Sequence, residues 1–211
     1  MKKIIPLLLA VVAFAACEKD PDMGELENKY VVYTNYDKKA DFSAYGTYYL
    51  PDSILVIGDK KDGEYWSDGN AQTILNAFAQ NMEKRGYQPT TRETAQLGLQ
   101  VSYVRSTYFL TDFGQPEWWW GYPGYWDTPY WGNWGAGWYY PYSVTYSYTT
   151  GSYLAELVNL SAPQGQNAKL PVMWTCYLSG LLSNSTQTNV KLAVEGVNQA
   201  FTQSTYLTNK K

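Results

Sequence analysis

Few side chains in this sequence could do chemistry, and a large set of aromatic rings outnumbers them. The 211 residues contain no His, which removes the commonest general base, the Ser-His-Asp triad and the usual zinc ligands. Paired carboxylates remain as an acid/base set of the kind that hydrolyses glycosides. The candidates are Asp112, Glu117 and Asp127, in or near the aromatic stretch, and Glu156 in a strand-like run. Nothing in their spacing fixes the separation such a pair needs, and isolated surface carboxylates are the default reading. Asp59, Asp62, Glu64 and Asp68 form an acidic loop whose spacing is not that of an EF-hand, so a solvated loop is expected and no metal site. No Gly-rich phosphate loop of either standard pattern follows a strand. Neither a cofactor nor catalytic activity is expected.

The two cysteines have different prospects. Cys176 sits inside an alternating apolar run, where a buried structural thiol is expected and not a nucleophile. Cys17 follows Phe14-Ala15-Ala16, small residues before a Cys as in a lipobox, at which signal cleavage leaves a diacylglyceryl-modified, palmitoylated N-terminal Cys. Lys2 and Lys3 supply a positive start, and Ile4 to Ala13 an apolar stretch too short for a stable membrane span. Residues 1–16 thus read as a lipoprotein signal peptide and 17–29 as a lipidated Cys and flexible tether. Phe14 stands where that motif usually has Leu, and an ordinary secretory leader is the alternative.

The aromatic stretch runs from Pro116 to Tyr142 and holds seven of the nine Trp, six Tyr, five Gly and four Pro. Neither helical nor strand periodicity survives in it, and Pro and Gly recur too often for a regular element. It is expected to be a long loop, and loops of that length inside compact domains are usually functional or disordered. Trp118, Trp119, Trp120, Trp126, Trp131, Trp134 and Trp138 are its candidate ligand-binding residues. Three readings stay open: rings packed back as an accessory core, a platform stacking on the apolar faces of sugars, or contact with membrane headgroups. Free display of so many rings would exceed the apolar patch a soluble monomer normally shows.

Positioning these residues falls to a modest set of elements. Tyr30–Tyr36 and a segment from 41 to 50 ended by Pro51-Asp52 read as strands, and Ser53–Ile57 is a short apolar run before a polar loop. Ser67 or Asp68 can cap a helix beginning near Asn70, with Ile74, Leu75, Phe78 and Met82 on one face and Gly86 as its stop. Leu97, Leu99, Val101 and Tyr103 alternate with Gly98, Gln100 and Ser102, a half-buried strand running to about Tyr108. After the insert come strand-like runs at 143–149, 152–160 and 172–182. Val190, Val194, Val197 and Phe201 then mark a second amphipathic helix, weakened locally by Gly196. Two apolar helix faces and strands with one dry face predict an α+β two-layer sandwich: one mostly antiparallel sheet, both helices on one face, and the aromatic loop as an insert. Residues 30–211 form one domain.

Charge narrows the partners. Loss of Lys2 and Lys3 with the leader takes the net charge from −3 to −5, and no basic cluster offers nucleic acid a surface. The acidic residues of Glu18-Lys19-Asp20-Pro21-Asp22 resemble the lipoprotein export signal of Bacteroidota, although a solvated tether explains them too. With Glu and not Asp after the Cys, an outer-membrane lipoprotein is expected, surface-exposed or else facing the periplasm. Its partners would be the membrane, through the lipid, and an envelope glycan or protein.

DFSAYGTYYL, KRGYQP, AQLGLQVSY, TTGSYLAELVNL and PVMWTCYLSGLL, with a terminal helix ending VNQAFTQ, resemble the bacterial lipoprotein family catalogued as domain of unknown function 4136. The resemblance spans roughly residues 29–203. It implies a lipoprotein signal and a Gly- and Trp-rich insert before the later strands, and it carries no activity or site residues. Glu156 stands where the family commonly has Asp, and Thr202 replaces the Pro that usually follows the final Phe.

Overall fold

The computed structural model describes residues 30–57, 64–105, 138–142, 151–162, 170–180 and 183–210. The leader, Cys17 and its tether, the run at 143–149, residues 106–108 and most of the insert lie outside them. Among these described residues nine strands form one mixed sheet: β1 (Val31–Tyr36), β2 (Thr47–Tyr49), β3 (Ile54–Ile57), β4 (Glu64–Trp66), β5 (Gln88–Pro89), β6 (Leu97–Val104), β7 (Trp138–Tyr139), β8 (Ser152–Asn159) and β9 (Leu170–Ser179). The long ladders, β1 with β9, β9 with β8 and β8 with β6, are antiparallel. β2 and β3 both pair parallel with β6, at its beginning and its end respectively. Pro51 explains the split, because it cannot donate to a ladder and interrupts what would otherwise be one strand. The sheet is open, with β1 and β5 at the ends of its strand order.

Both helices form as their sequence patterns predict. α1 (Gly69–Lys84) starts at Asp68, whose carboxylate accepts from the Asn70 and Ala71 amides at 2.9 and 3.0 Å. Gly86, at φ 95°, adopts the left-handed conformation that ends it. α2 (Thr186–Gln203) is capped by the Ser185 hydroxyl, which accepts from the Thr188 amide at 3.3 Å. The helices are joined by Asn81 Nδ2 donating to Asn198 Oδ1 at 2.8 Å and by the Phe78 and Phe201 rings, 6.3 Å apart and edge-on. Their apolar faces share a core with Leu97, Leu99, Val101, Ala155, Leu157, Trp174, Cys176 and Leu178. Gly196 is buried against this sheet, and a Cβ there would lie 3.2 Å from Leu178 Cδ2. Close approach of helix to sheet accounts for a glycine that helix propensity alone disfavours.

Three differences from the sequence pattern bear on function. Glu64–Trp66 belongs to a loop by composition, yet it pairs with β3 as an edge strand. Trp138-Tyr139, expected within an irregular loop, pairs parallel with Leu170 and Pro171 of β9. The third is the largest. Gln100 and Ser102, the polar half of an alternating strand, have no exposed surface, nor do Ser152, Glu156 and Thr175. The sheet face away from the helices is therefore buried too, with its own core of Leu55, Ile57, Leu154, Val158, Val172 and Tyr177. Alternation indicates which side chains share a face; it says nothing about whether something else covers that face.

Candidate functional site

The even positions of β6 and β8 and the matching positions of β9 place a row of polar side chains across the covered face. Gln100 lies opposite Glu156, Glu156 opposite Thr175, and Thr175 opposite Asn35 of β1. Tyr140, just after β7, donates its hydroxyl to Glu156 Oε1 in a short hydrogen bond. The neighbouring Tyr142 hydroxyl reaches Thr175 Oγ1 in a long contact of 3.5 Å. Burial pushes the Tyr142 hydroxyl pKa well above its usual value; Thr175 opposes that and the Glu156 carboxylate adds to it. One turn along the sheet, Ser152 Oγ and the Tyr177 hydroxyl share a hydrogen bond of 3.0 Å. A carboxyl group removed from water needs partners or it destabilises the fold. Here the end of the aromatic insert supplies one, so residues 138–142 are a strap fastened to the sheet.

A second site lies on the helix side. Positions 97, 99, 101, 103 and 105 share that face, and the helices cover only the first three. Beyond the start of α2 the row continues as Glu64, Val56, Tyr103 and Tyr153, directly opposite one another on β4, β3, β6 and β8. Val56, Tyr103 and Tyr153 of that row, with Trp66, Arg105, Thr186, Asn189 and Val190, line a cleft of about 300 Å³. The Trp66 and Tyr103 rings are 5.8 Å apart and tilted 59°, and Tyr103 and Tyr153 are 4.9 Å apart and tilted 49°. Arg105, on the cleft wall, donates two hydrogen bonds to the Glu64 carboxylate beside it, at 2.5 and 2.9 Å, in a bidentate pair. The Asp68 pKa is lowered chiefly by the Ala71 amide, with the Trp66 side chain and the Asn70 amide adding to it. Burial raises the Tyr103 pKa against the opposing influence of Arg105, and raises that of Tyr153.

The other candidates fare as follows. Trp118, Trp119, Trp120, Trp126, Trp131 and Trp134 lie outside the described residues, as do Asp59, Asp62, Asp112, Glu117 and Asp127; Trp138 is placed in β7. Of the acidic loop, Glu64 pairs with Arg105 and Asp68 caps α1. Cys176 is a fully buried free thiol whose pKa burial raises strongly. Among the described residues no group of three metal-ligating side chains comes together, and no helix is long and apolar enough to cross a membrane. The cleft escaped sequence reading because its residues are scattered over five elements. Trp66, a large ring in an otherwise polar segment, was the available signal.

These features define a two-layer α+β domain with a mixed open sheet, an aromatic cleft on its helix side and a polar row under a strap on the other. The sequence from 32 to 204 matches the family model DUF4136, a domain of unknown function, and the chain belongs to that family. It is similar to a DUF4136 family protein from Bacteroides thetaiotaomicron VPI-5482 whose crystal structure is known at 1.60 Å. The two share 59% identity and a TM-score of 0.78 over 86% of this chain and 98% of that one. No curated protein matches the chain.

Proposed function

We propose that this chain is a lipid-anchored cell-envelope protein that binds a ligand without transforming it, in the cleft between β4, β6 and the start of α2. The observation that carries the binding role is the cleft itself: three tilted rings beside a bidentate Arg–Glu pair, at a size near the lower end of small-ligand pockets. The anchor rests on the leader and Cys17. A carboxylate hydrolase finds less support, because Glu156 has no exposed surface and bonds to Tyr140. Display of the insert against headgroups finds less support at its described end, where Tyr140 and Tyr142 pack on the covered face.

Two experiments test this reading. Labelled palmitate should enter the wild-type chain and be lost in Cys17→Ala; an unlabelled wild type contradicts the anchor. Immobilised envelope polysaccharide should retain the chain, and Trp66→Ala should weaken retention without lowering the melting temperature. Retention unchanged in that variant but lost on replacing Trp118, Trp126 or Trp131 by Ala would move the site to the insert.

A further inference from the structure

We infer that the cleft takes a neutral hexose unit of a polysaccharide, its ring face on Trp66 and its hydroxyls on the Arg105–Glu64 pair; this rests on the binding role proposed above. Three observations select that ligand class. First, the apolar part of the cleft is made of ring faces set at 59° and 49° to one another. Such a wall fits a puckered ring carrying C–H groups better than a flat aromatic, which needs parallel or edge-on partners. Second, among the described residues Arg105 is the charged side chain that lines the cleft, and its Nη1 and Nη2 bond to both carboxylate oxygens of Glu64 beside it. Their charges cancel, so an acidic or basic ligand gains little Coulomb energy. Their planar edges still offer donors and acceptors side by side, the pattern that adjacent sugar hydroxyls match. Third, a cleft of about 300 Å³ bordered by the exposed Arg105 and Thr186 has room for one ring of a chain that continues into solvent.

The geometry is also set in advance. Trp66 sits in the edge strand β4, two residues before the α1 cap, and Tyr103 is wedged between the Trp66 and Tyr153 rings. A fixed ring face avoids the ordering cost that a mobile one incurs on binding.

The test uses the full chain purified in a sugar-free detergent and titrated calorimetrically with neutral gluco-, manno- and galacto-oligosaccharides and with an oligogalacturonate. The expected result is binding of at least one neutral series, weakened tenfold or more in Trp66→Ala and less in Trp66→Phe. That affinity should change less than about twofold between 50 and 500 mM salt, as an uncharged ligand requires. Binding of the oligogalacturonate alone, with salt weakening it, overturns the neutral class and leaves the binding role standing. Should no saccharide bind, a thermal-shift panel of non-carbohydrate small molecules separates the remaining outcomes. Stabilisation that Trp66→Ala abolishes overturns the saccharide and keeps the cleft as a site; no response in any arm overturns both. Trp66→Phe, which keeps an aromatic core contact, guards against a loss of binding caused by misfolding.

Discussion

Replacing Tyr140 by Phe tests whether the strap is fastened as described. The substitution keeps the ring and removes one oxygen, the donor to Glu156 Oε1. Glu156 has no exposed surface, so water cannot take the hydroxyl's place without the strap lifting. A hydrogen bond to a buried charged group contributes about 1.5–3 kcal/mol. For a domain of 150–250 residues each kcal/mol moves the midpoint by about 2–4 °C, giving a fall of about 3–12 °C. Thermal unfolding followed by far-ultraviolet circular dichroism, with urea titration as a check on the free energy, measures it. Combined with Glu156→Gln, Tyr140→Phe should cost less than the two single losses added, because the two changes remove one shared hydrogen bond. A loss below about 0.5 kcal/mol in Tyr140→Phe, or a double variant worse than the sum of the singles, would refute the reasoning.

Three further outcomes follow from the core. Burial raises the pKa of Tyr48 to about 12 and raises those of Tyr87, Tyr142 and Tyr153 as well. A phenol with its folded pKa above its unfolded value near 10 contributes stability that is intact below pH 10 and is lost as pH rises through the folded pKa. Absorbance at 295 nm should therefore show these tyrosines ionising together with unfolding above pH 10, and independent ionisation of all of them near pH 10 would contradict their burial. Cys176 should resist a disulfide reagent in the native chain and react once unfolded, since burial both shields it and disfavours its thiolate; rapid native labelling would contradict its place in the core. Gly86→Ala should destabilise by about 1–2 kcal/mol in urea titrations, because φ 95° suits only glycine and an added Cβ would meet Lys210 Cγ at 3.2 Å; an unchanged midpoint would show that the turn relaxes freely.

Local rules carried the sequence reading a long way and stopped where tertiary covering began. Asp68, the Ile74–Met82 stripe and Gly86 announced α1 because caps and periodicity are properties of a dozen neighbouring residues. The β6 alternation assigned Leu97, Leu99 and Val101 correctly to the helix face. The same alternation hid the burial of Gln100 and Ser102, on a face whose cover includes the strap at 138–142, far off in sequence and adjoining a stretch without periodicity. Trp138 to Tyr142, read as part of a loop, bond to β9 and Glu156 through pairing that no local pattern encodes. The cleft was less legible still. Trp66, Tyr103, Arg105 and Tyr153 are ordinary strand residues until the register sets them side by side just past the start of α2.

The most direct measurement of the central claim is fluorine NMR of the chain labelled with 5-fluorotryptophan, with the Trp66 resonance assigned by its absence from Trp66→Phe. Trp174, fully buried and donating to Ser204 Oγ at 2.9 Å, provides an internal reference. Addition of a neutral oligosaccharide should shift the Trp66 resonance in proportion to occupancy and leave Trp174 in place. A Trp66 resonance that stays fixed while the same saccharide is demonstrably bound would contradict the account and place the binding surface elsewhere on the chain.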